Sequence, residues 1–371
     1  MNADDLRSLD ECRERIDEID RELVSLLNER ARVSLQVGRL KAGEGTSVYR
    51  PEREAQVLRN VEAASEGPLG GDALRNIWAE VLSSSRALQR PVRVGFLAPA
   101  GTFSHEAAMA AIRHFGRATE LVPFATIPDV INATARREVE FGVVPVENTI
   151  NGGVPMALDT LIDADVQACA EIQLPIVQNL ASTTSLDSIR KVYSQSVALA
   201  QVRGWLSRHL PHAEIVEVSS TGRAVELGKE PGAAGVGPEA AAELYDVPIV
   251  ARNIQDQANN VTRFLVVGLQ AAGPTGRDKT GLVFGVKHRA GALHDALGVF
   301  ASRGLNLSWI ESRPSKRQAW EYVLVVDVQG HQEDEEVRAA LRELHDHAQF
   351  VKVFGSWPEA PMPGRSARVG E

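Results

Sequence analysis

The stretch RPVRVGFLAP, Arg90 to Pro99, is where the chain changes its period. Before it, Leu9, Ile16, Ile19, Leu23, Leu26, Leu27, Val33 and Val37 recur at steps of three and four, the spacing of one long amphipathic helix. KAGEGTS, from Lys41, ends that helix with two glycines and small polar residues. Pro51, after YR, suits the first turn of a second helix. A third is expected over about residues 72–89, after the breaker EGPLGG. Three helices without a strand bury little by themselves, and such units pair through their long helix. Past Pro91, strand-like runs alternate with helical ones: VRVGFLA, SHEAAMAAIRHF, ELVPFA, TIPDVINATARR, FGVVPVE. That rhythm predicts an α/β sheet. It resumes with KVYS, a helix over about 196–209, AEIVEVS, a helix near Thr221–Gly228 and AAGVG, and ends with TRFLVVG. After a Gly/Pro-rich linker, AAGPTGRD, the runs follow the order βαββαβ, which is ferredoxin-like. The expected fold is therefore multidomain. It has an all-α three-helix domain (1–90), an α/β domain (91–272), an α+β domain (278–358) and a disordered Pro/Gly/Arg-rich tail (359–371).

The chain's 371 residues are enough for two or three domains, and 44% apolar with 24% charged residues is the balance of a soluble globular protein. A net charge of −9 argues against general affinity for nucleic acid or anionic membrane, so any anionic ligand needs a local cluster of cations or dipoles. Cys12 and Cys169 form no CxxC pair, which indicates neither a disulfide framework nor a zinc site. No apolar run approaches the ~20 residues of a membrane span. The acidic start, MNADDLRSLDE, lacks the order of a signal peptide, so the cytoplasm is the expected address.

Arg30 and Lys41 stand eleven residues apart, three helical turns, on nearly one helix face. Their long side chains, on Cα atoms ~16 Å apart, could converge on a small dianion. Arg53 and Glu54 on the second helix, with Ser85 and Gln89 on the third, could close such a site; otherwise these are ordinary polar residues of a solvated face. In the α/β segment, PAGTFSHEAA places Gly101, Thr102 and Ser104 where a strand gives way to a helix, an anion-binding position. VPVENTINGGV sets Glu147, Asn148 and Thr149 at a strand's end, where α/β folds bind ligands. As isolated turns both would be structural. GVGPEA, Gly235 to Ala240, matches a dinucleotide-binding pattern, but its acidic partner, Asp256, sits in a polar loop; a strand-to-helix turn is the better reading, and no cofactor is expected.

CRERIDEIDRELVSLLNERARVSLQVGRLK with VYRPERE resembles the all-helical chorismate mutase domain over essentially the first 90 residues. The resemblance implies that Arg13, Arg30, Lys41, Arg53, Glu54, Ser85 and Gln89 fall on its active-site positions. Lys41 and Gln89 would face the breaking ether bond as chorismate becomes prephenate. This Claisen rearrangement needs folding and charge stabilisation but no metal. Arg13 lies about 100° around the helix from Arg30, which fits the family's use of that arginine in a partner subunit and implies a homodimer or higher homo-oligomer. Arg50 stands where related sequences often have an acidic residue.

GTFSHEAA, VPVENTINGG, VYS followed six residues later by Gln201, and QDQANNVTRF occur in the order found in prephenate dehydratases. The family fold resembles a periplasmic-type binding protein with two α/β lobes, the chain crossing after the ENT region and returning near TRF. Thr262 matches the family's essential threonine and would serve the hydroxyl that leaves prephenate. Glu147, Asn148, Thr102, Ser104, Ser194 and Gln201 would line the cleft, with Arg263 a weaker carboxylate contact because adjacent strand residues face opposite ways. QSVAL replaces the usual His-Pro-Gln, and PIVQNLAS lacks a frequent histidine. An arogenate-preferring or non-aromatising variant, or a non-catalytic metabolite sensor, is the alternative; the retained Thr262 argues against the last two. GALHDAL and ESRPSKRQAWEY resemble the ACT domain of these dehydratases. The resemblance implies that Gly291, Ala292 and Leu293, with Glu311, Ser312, Arg313 and Pro314, bind the effector L-phenylalanine. HRAG stands where Asn-Lys-Pro-Gly is usual before the helix.

Overall fold

Leu9–Ala42 forms a single helix, α1, whose 34 residues keep the 3.6-residue period and tolerate one interior glycine, Gly38. The computed structural model describes residues 8–42, 51–88, 92–115, 119–287, 289–315 and 322–360. Two further helices follow, α2 (Pro51–Ala63) and α3 (Gly71–Ala87). Leu74 and Leu82 of α3 are buried, whereas Leu23, Leu26, Val33 and Leu40 of α1 remain exposed within the single chain. This helical segment is one compact unit, and the bulk of the chain from Arg93 onward is a second.

The second unit begins with β1 (Arg93–Leu97), α4 (Phe103–Phe115), β2 (Glu120–Phe124), α5 (Ile127–Ala135), β3 (Phe141–Asn148), the two-residue β4 (Gly152–Gly153), α6 (Pro155–Asp163) and β5 (Gln167–Pro175). A second lobe follows: β6 (Asn179–Ala181), β7 (Lys191–Ser194), α7 (Ser196–His209), β8 (Glu214–Glu217), α8 (Thr221–Leu227), β9 (Ala233–Gly237), α9 (Glu239–Tyr245) and β10 (Ile249–Ala251). The chain then returns through β11 (Val261–Gly268), which inserts antiparallel between β3 and β5. The first sheet runs β2-β1-β3-β11-β5 and the second β10-β6-β9-β7-β8. The crossing falls after Pro175, well beyond the ENT turn, because α6 and β5 complete the first lobe before the chain leaves it.

β9 lies at the centre of the second sheet and packs tightly on α8. A Cβ on Gly235 would come 2.0 Å from the Ala224 carbonyl oxygen, a backbone atom that cannot swing away. Gly235→Ala should therefore destabilise the protein by about 1–3 kcal/mol or more, read as a lower urea midpoint.

The last domain comprises β12 (Asp278–Val286), α10 (Ala292–Ala301), β13 (Leu307–Pro314), β14 (Tyr322–Gln329), α11 (Glu335–His347) and β15 (Ala348–Pro358), with sheet order β13-β14-β12-β15. One face of this sheet meets α10 and α11 around Phe284, Phe300 and Leu344. The other face packs against the first lobe. Val283, Val325, Phe354 and Trp357 share a core with Val144, Leu158 and Leu265 of the first lobe. The expected linker is correspondingly tied down: Ala272 is buried, its carbonyl lies 3.0 Å from His331 Nε2, and the Thr275 and Gly276 amides donate to Asp278. Glu359 and Ala360, expected in a disordered tail, donate backbone hydrogen bonds to the Arg277 carbonyl and to Glu171 Oε1. Residues 361–371 lie outside the described ones.

Candidate active sites

In the helical unit, Arg30 Nη1 donates to Ser85 Oγ at 2.6 Å, joining α1 to α3. Ser85 Oγ in turn donates to the Val81 carbonyl, so the hydroxyl oxygen is oriented to accept from a cation. Burial pulls the Arg30 pKa down from its ordinary value without removing the charge. Arg53 is exposed, and Arg13 is exposed with only a 3.5 Å contact to Asp10. The Lys41 and Glu54 side chains and all of Gln89 lie outside the described residues.

The larger construction is the cleft between the two α/β lobes, where a cavity of about 430 Å³ contains Thr262, Asn148 and Ser104 from one lobe and Gln201 from the other. β11 and β3 set Thr262 opposite Asn148. The register then slips between Arg263 and Phe264, so that Phe264 faces Pro145. That bulge explains how Pro145 and Asn148, three residues apart, both reach the same cavity. Asn148 Oδ1 accepts from the Ile150 and Asn151 amides, both at 3.0 Å, which fixes the orientation of the side-chain amide. Its Nδ2 consequently donates, to Thr262 Oγ at 2.9 Å and to Asn260 Oδ1 at 2.7 Å. A hydroxyl that accepts from Asn148 keeps its own proton available for a ligand in the cavity.

Among the described residues, the cavity lining contains no Arg, Lys or His. It does contain Ser104 in the first turn of α4, Pro155 at the start of α6, and Val197 and Ala198 in the first turn of α7. Helix N-termini are thus the positive element of this cleft. Gln195, in the QSVAL departure, caps α7 with its side-chain oxygen, accepting from the Val197 and Ala198 amides.

Several expected site residues are placed elsewhere. Thr102 does not line the cavity: its Oγ donates to the Pro99 carbonyl and accepts from the His105 amide, capping α4. Ser194 is fully buried and donates to the Gln195 carbonyl. Glu147 and Arg263 face away from the cleft, because strand alternation sends the neighbours of Asn148 and Thr262 to the reverse side. There, Arg263 Nε lies 3.1 Å from Glu147 Oε2, Nη1 contacts Asp327 of β14, and the guanidinium stacks on Trp309 at 4.7 Å. Residues not singled out from sequence complete the cleft. Gln178 donates to Gln201 Oε1 at 3.0 Å, and Asn260 Nδ2 is buried without a partner. Asn260, two positions before Thr262, was legible only as part of a polar approach to the strand. Asp256 is engaged by the Gly204 and Trp205 amides at 2.8 and 2.9 Å, and the glycines of GVGPEA serve the packing of β9 on α8.

The effector motif divides in the same way. Gly291 has φ +79° and starts α10, with Ala292 buried and Leu293 exposed. Along β13, Ser312 and Pro314 are exposed, while Glu311 and Arg313 turn toward the first lobe. Arg313 Nη2 reaches both carboxylate oxygens of Asp159 on α6 at 3.1 Å. Glu311 lies over Gly153, where an added Cβ would come within 3.1 Å of its carboxyl carbon. The four residues therefore do not face one pocket, since a strand cannot aim consecutive side chains to one side.

Three family models match the chain in order: chorismate mutase type II over residues 12–90, prephenate dehydratase over 94–272 and the ACT domain over 280–346. A bifunctional chorismate mutase/prephenate dehydratase of Aquifex aeolicus is 43% identical over 361 residues, covering 96% of this chain and 99% of its own length. The chain belongs to this family. Among solved structures, a prephenate dehydratase from Arthrobacter aurescens in complex with L-Phe is 33% identical, with a TM-score of 0.64 over 72% of this chain and 90% of that one. A protein described as a quorum-quenching acylase, GqqA, aligns equally well, with TM-score 0.64 and 27% identity over 72% of this chain and 98% of that one. The fold after the mutase domain is therefore shared by differently described proteins, and the mutase domain with the full-length relatives decides the family.

Proposed function

We propose that residues 1–90 rearrange chorismate to prephenate, that residues 91–272 convert prephenate to phenylpyruvate, and that residues 278–358 subject the second step to inhibition by L-phenylalanine. The observation that carries the reading is the Asn148–Thr262 pair: a hydroxyl in a two-lobed cleft, hydrogen-bonded so that its proton is free to leave. In the dehydratase step the C–CO₂⁻ bond breaks and CO₂ departs. Its electron pair moves into the ring, and the ring hydroxyl leaves with a proton as water. Thr262 delivers that proton, and Asn148 stabilises the charge left on Thr262 Oγ. A threonine hydroxyl is a weak acid, but aromatisation supplies most of the driving force. Helix N-termini, with no cation among the described lining residues, serve the remaining carboxylate. They leave the departing one weakly solvated, which favours its loss.

In the mutase domain, Arg30 held by Ser85 is the cation fixed for a substrate carboxylate. The exposed stripe of α1 and the exposed Arg13 support a homodimer in which each Arg13 completes the partner's site. No described helix is long and apolar enough to cross a membrane, and we place the enzyme in the cytoplasm. The test is direct: purified protein given chorismate should form phenylpyruvate, and saturating L-phenylalanine should slow the prephenate step. Prephenate accumulating without phenylpyruvate would overturn the dehydratase assignment; indifference to phenylalanine would overturn the regulatory one.

A further inference from the structure

Behind the catalytic strand, five charged side chains from the dehydratase and ACT domains meet, four of them buried and Glu147 half-buried. Arg263 of β11 contacts Asp327 of β14, and its Nε and Nη1 lie 3.1 Å from Glu147 Oε2 and 3.6 Å from Glu171 Oε2. Lys279 of β12 reaches Glu171 Oε1 at 2.9 Å. Asp327, Glu171, Arg263 and Lys279 are all buried. We propose that Asp327, a residue of the ACT domain, is a positioning residue for dehydration: through Arg263 and Glu147 it holds the register that keeps Thr262 and Asn148 aimed into the cleft. The inference rests on the cleft reading given above.

Three observations carry it. Arg263 pairs with Glu147 directly beside the Thr262–Asn148 pair on the same two strands, so a rotation of one pair rotates the other. The ladder slips immediately after Arg263, so backbone pairing alone does not fix the strand at that point. The space behind it is also not packed solid. A cavity of about 270 Å³ borders Glu147, Arg263, Lys279, Trp309 and Asp327, so a guanidinium released by Asp327 has room to move. Side-chain charge does here what a packed core does along the rest of β11, where Leu265 and Val267 are buried.

Asp327→Asn keeps the shape and removes the charge. Its kcat on prephenate should fall about ten- to hundredfold, the loss expected when a reacting group is displaced by about an ångström, with KM within twofold. Mutase activity of the same chain should be unchanged, which normalises for enzyme concentration, and an unchanged circular-dichroism spectrum shows that the second unit is folded. Asp327→Glu should recover part of kcat. Arg263→Lys, which keeps the cation without its fork, should show the same kcat loss. Asp159→Asn breaks a separate ion pair between the two domains, the one with Arg313, and should retain wild-type kcat. Wild-type kcat in Asp327→Asn, or an equal fall in Asp159→Asn, would sink the positioning role. If Thr262→Ala leaves dehydration intact, it is the cleft reading that fails; if that variant is inactive while Asp327→Asn is normal, only the positioning claim does.

Discussion

Thr262→Ala is expected to lower phenylpyruvate formation by a factor of about 10³, with chorismate still consumed and prephenate accumulating. A positioned proton donor contributes about 10²–10⁴-fold. Alanine also leaves the Asn148 Nδ2 donor facing the cleft without the oxygen it holds at 2.9 Å. The backbone role of Thr262 in β11 survives the change, since its ladder to Asn148 and Leu174 uses main-chain atoms. Thr262→Val separates chemistry from strand shape: it keeps the β-branched form and should be as inactive as alanine. Thr262→Ser keeps the hydroxyl and should stay within about tenfold of wild type, the cost of a freer rotor. Coupled assays on one sample, following chorismate loss and phenylpyruvate gain, read both domains together. A valine variant that makes phenylpyruvate at the wild-type rate would remove Thr262 from the reaction.

Which parts of this arrangement were legible in the sequence follows from the range of the forces involved. Helix α7 runs over the residues its local pattern predicts, Ser196–His209, because period and cap lie within its own segment. The strand β5 gave no such signal. QACAEIQLP is covered on both faces, so it does not alternate, and Glu171 in its middle reads as a loop residue until Lys279, more than 100 residues later, is placed beside it. Alternation was enough to separate Arg263 from Thr262, and the same rule separates Glu147 from Asn148 and Arg313 from Ser312. Motif resemblance merges them, because a motif keeps residues together without saying which face each one takes. The bulge that brings Pro145 and Asn148 to one cavity depends on the pairing of β3 with β11, which no local pattern records. The second buried face of the ACT sheet is likewise a property of the neighbouring lobe.

Arg263→Met should be the most destabilising single change at this boundary, and its cost should depend on pH. The substitution keeps much of the apolar stem but leaves Glu147, Glu171 and Asp327 with one cation, Lys279. Breaking a buried pair by removing one partner costs about 3–5 kcal/mol, or on the order of 10 °C in the melting temperature of a unit this large. Burial already holds Asp327 and Glu147 above the ordinary carboxylate range, against the pull of Arg263. Burial also opposes ionisation of Glu171, but Lys279 and its hydrogen bond draw that group below the ordinary range. A carboxylate raised in the folded state gives its full stability below its unfolded pKa and loses it as pH rises through the folded value. Without Arg263 the pKa values of Asp327 and Glu147 rise further, so the variant's deficit should be widest near pH 8. It should narrow as pH falls toward the ordinary carboxylate range, about 4, where both groups are protonated with or without the arginine. Glu171, held below the ordinary range, adds a share of the deficit that is constant over most of this span and fades only as pH falls below that range. Thermal unfolding of wild type and variant across pH 5–8 measures the difference. A deficit that stays constant over that span would mean that Arg263 holds the boundary by packing on Trp309, not by neutralising the carboxylates around it.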